Sequence, residues 1–224
     1  MKNSDELTYI ELRDNFLAGL YSTDTDECVD AINALHGSLT SIEDLTPLLL
    51  SKERVSQEAA TYIAAQEGDR ACSIFPQVFD LLESPWVEVR DEVCDCFIDC
   101  ATKAEQFVAL FKHLEDPEQC IRLRIINVVS DLKDEQIDVI FEHINSDSGF
   151  DDISPGVSLL HEQSKSGVSF ESLKKHMTEG TKITKLFVYA VAIREKVESN
   201  LIELVQLSGS SDVLSHYEIY FGDE

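Results

Sequence analysis

The sequence predicts an all-α protein, an α-solenoid of about six to seven antiparallel helix pairs. Three observations predict it. Two central segments superpose without a gap at an offset of 32 residues. Apolar residues recur at helical spacing along most of the chain. No segment alternates convincingly in the manner of a strand, apart from an ambiguous tail at Val213–Phe221.

One residue frame recurs in the middle of the chain. Phe79, Leu82, Glu83, Ser84, Pro85, Val89, Arg90 and Val93 recur as Phe111, Leu114, Glu115, Asp116, Pro117, Ile121, Arg122 and Ile125. Ser84 and Asp116 can cap a following helix, and proline suits a first turn that needs no backbone N–H. The aliphatic pair spaced by four then lies on one helix face. A third copy at Leu48–Ala59 reads as having a connection two residues shorter and no proline or arginine. On this rhythm, pairs are expected near residues 5–36, 42–67, 74–102, 105–132, 135–166 and 168–197, with a capping pair at 199–221. They form one repeat domain over 1–224, clearest at 42–132. Gly149, Pro155 and Gly156 make residues 145–156 an irregular loop that interrupts the stack.

The frame of residues 79–125 resembles a HEAT-type repeat, and the resemblance covers about two-thirds of the chain. It implies helix pairs stacked into a curved solenoid whose inner helices offer a concave binding surface.

Charge narrows the function. The chain has 43 acidic and 18 basic residues, a formal net charge of -25. The excess is not a tail: residues 1–112 hold 22 acids and 8 bases, and residues 113–224 hold 21 and 10. Self-repulsion of this size opposes compactness, and attraction to a basic partner is the simplest compensation. Direct nucleic-acid binding is not expected, because it needs clustered Lys and Arg. The pairs Lys174/Lys175 and Lys182/Lys185 read as salt-bridged to nearby acids. No stretch approaches the ~20 apolar residues of a membrane span, and the charged Met1–Glu6 is unlike a signal peptide. A cytoplasmic location is expected, with reduced thiols at Cys28, Cys72, Cys94, Cys96, Cys100 and Cys120.

The acidity is focused on one helix. At 100° per residue, Val89, Val93, Cys96, Phe97 and Cys100 share one face of the helix 86–101, and Val87, Cys94 and Ile98 extend it. Glu88, Asp91, Glu92, Asp95 and Asp99 fill the remaining lane with no base among them. Like charges four apart repel by a few tenths of a kcal/mol each, so a lane of one sign is expected to serve as a docking surface for Lys and Arg. Asp26, Glu27 and Asp30 extend it from the first pair, and Trp86 at the helix mouth is a candidate anchor.

No catalytic or metal constellation emerges. Cys94 points away from Cys96 and Cys100, the six histidines are scattered, and no phosphate loop, GxSxG or CxxC is present. Neither an enzyme nor a cofactor is expected. In size, acidity and repeat frame the chain is similar to the HEAT-like immunity proteins of bacterial contact-dependent growth inhibition, including those that guard against EndoU-type ribonucleases. The resemblance implies a one-to-one complex with a basic toxin nuclease domain, by occlusion of its active site or RNA-docking surface. A HEAT-like scaffold or adaptor for another basic protein is the alternative. A helical-repeat enzyme is a third reading, and its DNA-glycosylase form would need a basic concave face.

Overall fold

Every described residue that is in regular structure is helical. The computed structural model describes residues 7–146 and 148–222, and no strand occurs among them. The helices group by contact into two compact units, residues 1–101 and 102–224.

The first unit holds three helix pairs. They are α1 (Tyr9–Leu17) with α2 (Asp26–Gly37), α3 (Thr46–Leu49) with α4 (Arg54–Glu67), and α5 (Phe75–Phe79) with α6 (Val87–Cys100). Short 3₁₀ turns at Ile42–Leu45, Gly68–Ser73 and Asp80–Glu83 extend the first helices or lead into them. The first helices pack in series, α1 on α3 and α3 on α5, and so do the second helices, α2 on α4 and α4 on α6. Two layers result, with Leu12, Phe16, Leu35, Leu48, Ile63, Val78, Val93 and Phe97 buried between and within them. Small residues on α4 (Ser56, Ala59, Ala60, Thr61 and Ala64) are buried and let its neighbours approach closely. Ser56 also donates to the carbonyl of Phe16 at 2.8 Å, tying α4 to the end of α1.

The repeat frame has a hydrogen-bonding purpose. Ser84 Oγ accepts from the N–H of Trp86 at 3.4 Å, and Asp116 Oδ1 accepts from that of Glu118 at 2.9 Å. Six residues beyond each, Arg90 and Arg122 donate back to the carbonyls of Ser84 and Asp116. Ser84 and Asp116 therefore brace the turn before the helix and are not its N-caps, which are Trp86 and Glu118. The copy at 48–59 uses the same device. Ser51 Oγ accepts from Glu53 N–H at 3.1 Å, and Gln57 donates to the carbonyl of Ser51 at 2.7 Å. Its connection is thus the same length as the others. Ser56 occupies the buried aliphatic place and Gln57 replaces the arginine, so the two-residue shortening read from the sequence does not occur.

The second unit contains α7 (Ala104–Lys112), α8 (Gln119–Asp131), α9 (Asp134–Ser146), α10 (Ser154–Ser166), α11 (Phe170–Glu179), α12 (Lys182–Glu195), α13 (Glu198–Ser208) and α14 (Ser211–Phe221). These helices fall where the pairs from 105 onward are expected, and the ambiguous tail at 213–221 is helical. Their packing order is not serial. α12 contacts α8, α10, α11, α13 and α14, and α14 returns to pack on α8. The cause is composition: α12 buries Ile183, Thr184 and every residue from Leu186 to Ala192, and a helix apolar all round must be enclosed on all sides.

Polar side chains lock α12 in place. Near its end, Arg194 donates to the carbonyls of Ser130 at 3.0 Å and Leu132 at 2.6 Å, and to Gln163 Oε1 at 2.8 Å. It thereby satisfies the C-terminus of α8 while joining it to α10. His216 on α14 is buried, which pushes its pKa down to about 4 and keeps the ring neutral near pH 7. Its Nε2 lies 2.6 Å from Asn127 Oδ1, an acceptor, so Nε2 carries the proton and Nδ1 accepts from the Tyr189 hydroxyl at 3.2 Å.

The loop expected at 145–156 is shorter than read. α9 runs to Ser146, Asp147 lies outside the described residues, a 3₁₀ turn covers Ser148–Phe150, and α10 already begins at Ser154. Pro155 occupies the first turn, where it starts a helix instead of breaking one. Gly156 lies within α10 at a position where only hydrogen fits: a Cβ there would lie 2.5 Å from the ring of Phe187. Phe187 cannot yield, since it is buried edge-on against Phe111 at 5.1 Å. Gly156→Ala is therefore expected to destabilise the second unit by about 1–3 kcal/mol, despite alanine's helix propensity. A lowered urea midpoint would show this, and an unchanged or raised one would refute it.

Candidate functional site

The second helices of the first unit present an apolar groove of about 320 Å³ between α2, α4 and α6. Helical spacing builds each wall. Val29, Ile32 and Asn33 lie three and four apart on α2, Glu58 and Tyr62 four apart on α4, and Glu88 and Glu92 four apart on α6. Val29 is 54% exposed and Tyr62 38%, so the apolar walls face solvent. Three carboxylates meet across this opening.

Arg54 organises two of them. Its Nε donates to Glu58, one helical turn along α4, and its Nη2 lies 3.0 Å from Glu88 on α6. Two carboxylates thus share one guanidinium. Burial pushes the Glu58 carboxyl pKa up, and the bond from Arg54 opposes that shift without cancelling it. The lane on α6 is therefore not free of bases, as it reads in the sequence. Its N-terminal end meets Arg54, contributed by the neighbouring helix.

The residues expected to bind divide into groups. Glu88 and Glu92 line the groove. Asp91 and Asp95 are half-buried on the same helix outside it, and Asp99 is exposed at its far end. There Gly68, at φ +54°, follows α4, and a Cβ on it would approach the Asp99 carboxylate to 3.3 Å. Asp26, Glu27 and Asp30 are exposed on α2 but do not line the groove. The first two occupy the first turn of α2, where they complement its dipole. Trp86 is half-buried at the N-cap of α6 without capping it through its side chain, and is not a groove residue.

Glu58 and Tyr62 were missed by sequence reasoning. The one available signal was the Arg54–Glu58–Tyr62 spacing at i, i+4 and i+8, which puts all three on one side of α4. Recognising the groove also required knowing that α4 lies beside α6.

The remaining chemistry is quiet. No disulfide joins the described cysteines. Cys72 Sγ donates to the carbonyl of Asp99 and Cys100 Sγ to that of Gly68, each at 3.6 Å, and burial pushes the Cys96 pKa up to about 12. Among the described residues no group of three or more His, Cys, Asp or Glu side chains is placed to hold a metal ion. No helix there is long and apolar enough to cross a membrane. Of the late lysines, Lys174 pairs with Glu171 and Glu203 and Lys182 with Asp212, whereas Lys185 donates to the carbonyl of Ser208 and not to an acid. Compared with known proteins, the chain matches no family model, no curated protein and no solved structure.

Proposed function

We propose that this protein acts by binding, and that it captures a basic protein partner through the acidic groove of α2, α4 and α6. The observation that carries the reading is the meeting of Glu58, Glu88 and Glu92 across solvent-facing apolar walls. Apolar contact supplies affinity there, while the carboxylates select a cationic surface and speed its approach. A net charge of -25 supports the same choice of partner.

The serial two-layer packing of the first unit is the arrangement expected of a HEAT-like solenoid, and we read the scaffold in that way. With the resemblance to immunity proteins, the fullest form of the proposal is a bacterial cytoplasmic immunity protein. It neutralises a cognate basic toxin nuclease in a one-to-one complex by covering the active site or the RNA-docking surface. A nuclease groove is cationic because it holds phosphates, so an acidic face on a rigid scaffold competes for it directly.

The test is co-expression with the product of the adjacent reading frame. Rescue of growth, one-to-one co-purification and stoichiometric loss of RNA cleavage are expected. A neighbouring product that is basic and bound but not toxic would favour a scaffold or adaptor. One that neither binds nor inhibits growth would defeat the immunity reading.

A further inference from the structure

Two of the groove's glutamates, Glu58 and Glu88, already hold one clue to its occupant, the chain's own guanidinium of Arg54. We infer that the groove is a docking site for a single arginine side chain of the partner, and that Arg54 is a resident placeholder which gives up Glu88 to the incoming cation. The inference rests on the proposed basic partner and specifies how it is recognised.

The two ion pairs of Arg54 differ in exposure. Glu58 is 16% exposed and Glu88 49%, so the pair to Glu58 is sheltered and the pair to Glu88 is open to water. An exposed pair contributes at most about 1 kcal/mol, and little opposes its exchange for a partner's guanidinium. The occupant must also match the walls. Val29, Ile32 and Tyr62 offer an apolar surface against which the methylene stem of a long cationic side chain can lie, while its head reaches Glu88. A planar guanidinium can contact a carboxylate with two parallel N–H bonds and stack on the Tyr62 ring, which an ammonium cannot do. An uncharged apolar side chain would fill the same space but would offer Glu88 nothing in exchange for water.

Placeholder and occupant compete for Glu88, so removing Arg54 should tighten binding. Ordinary attraction to a more negative protein would do the same, and Lys52 separates the two explanations. It is exposed, lies two residues away, and its neutralisation changes the net charge equally.

The experiment is an amide-resonance titration of the full chain with N-acetyl-L-arginine methylamide, using the citrulline counterpart as the uncharged control. Shifts should concentrate on Val29, Ile32, Tyr62 and Glu88. Arg54→Gln should tighten the arginine probe about fivefold, the equivalent of one exposed ion pair, and Lys52→Gln less than twofold. Glu88→Gln, at an exposed position that leaves the fold intact, should weaken it by a similar factor. Shifts spread over the acidic surface, equal effects of Arg54→Gln and Lys52→Gln, or equal binding of citrulline would each overturn the inference. If a basic partner still binds in any of these cases, the proposed function survives and only the arginine site falls.

Discussion

Replacing Asp212 with alanine is expected to cost the second unit about 3–5 kcal/mol, the usual penalty for stranding one member of a buried ion pair. Asp212 is 1% exposed in the first turn of α14. It accepts from Arg122 Nε at 2.9 Å and Nη2 at 2.8 Å, and from Gln119 at 3.2 Å, while Lys182 Nζ lies 3.2 Å away. One carboxylate therefore holds α14 to both α8 and α12. Arg122 is the arginine of the repeat frame, so the same side chain braces its own turn and anchors a helix 90 residues later.

The pH dependence follows from the same contacts. Burial alone would raise the Asp212 pKa, but the bonds from Arg122, Lys182 and Gln119 outweigh it and hold the group at about 2. The folded value lies below the unfolded one, near 3.8. The stabilisation, on the order of 2–3 kcal/mol, is therefore complete above pH ~4 and is lost as pH falls through about 2. Urea midpoints for wild type and Asp212→Ala should differ widely at pH 7 and converge toward pH 2. His216 adds an earlier step of the same sign: with a folded pKa of about 4, its contribution is lost as pH falls from 6.5 toward 4. A constant gap between the two urea curves at all pH values would contradict the ionic account of Asp212.

The second large effect concerns binding. Reversing Glu88 and Glu92 to lysine is expected to slow association with a basic partner at low salt by about 10–100-fold. Both side chains reach solvent and neither is a core residue, so helicity and thermal stability should be retained. Reversing Glu105 and Glu179, exposed acids of the second unit, changes the net charge equally and should have much less effect. Stopped-flow association rates at two ionic strengths measure the difference.

Much of the helical plan was legible in the sequence, because caps, prolines and apolar spacing act locally. The pair expected at 42–67 occupies residues 42–49 and 54–67, and that at 168–197 occupies 170–179 and 182–195. The errors arose where one residue type serves two purposes. Pro155 and Gly156 read as loop, yet proline also opens helices and glycine also permits the close contact with Phe187. Gln57 went unrecognised as the counterpart of Arg90 and Arg122, because a carbonyl needs only a donor of the right reach and not a particular residue.

The groove was half legible for a different reason. Glu88 and Glu92 stand on one helix and could be read from its periodicity, whereas Glu58 and Arg54 come from a neighbour about 30 residues earlier. Their juxtaposition depends on how α4 packs against α6, which small residues on α4 permit but do not announce. The enclosure of α12 was within reach, since the run Leu186–Ala192 has no polar face. Its consequence, the return of α14 to α8, depends on partners as distant in sequence as Arg122 and Asp212.

Recognition by the α2–α4–α6 groove, as proposed, differs from attraction by diffuse negative charge in where a charge reversal matters. Its most direct measurement is the ionic-strength dependence of the association rate for wild type, the Glu88/Glu92 reversal and the Glu105/Glu179 reversal. A steep fall with salt is expected for wild type, nearly the same slope for Glu105/Glu179, and a slow, almost salt-independent rate for Glu88/Glu92. Equal losses in the two double variants would contradict recognition by the groove, as would no loss in either.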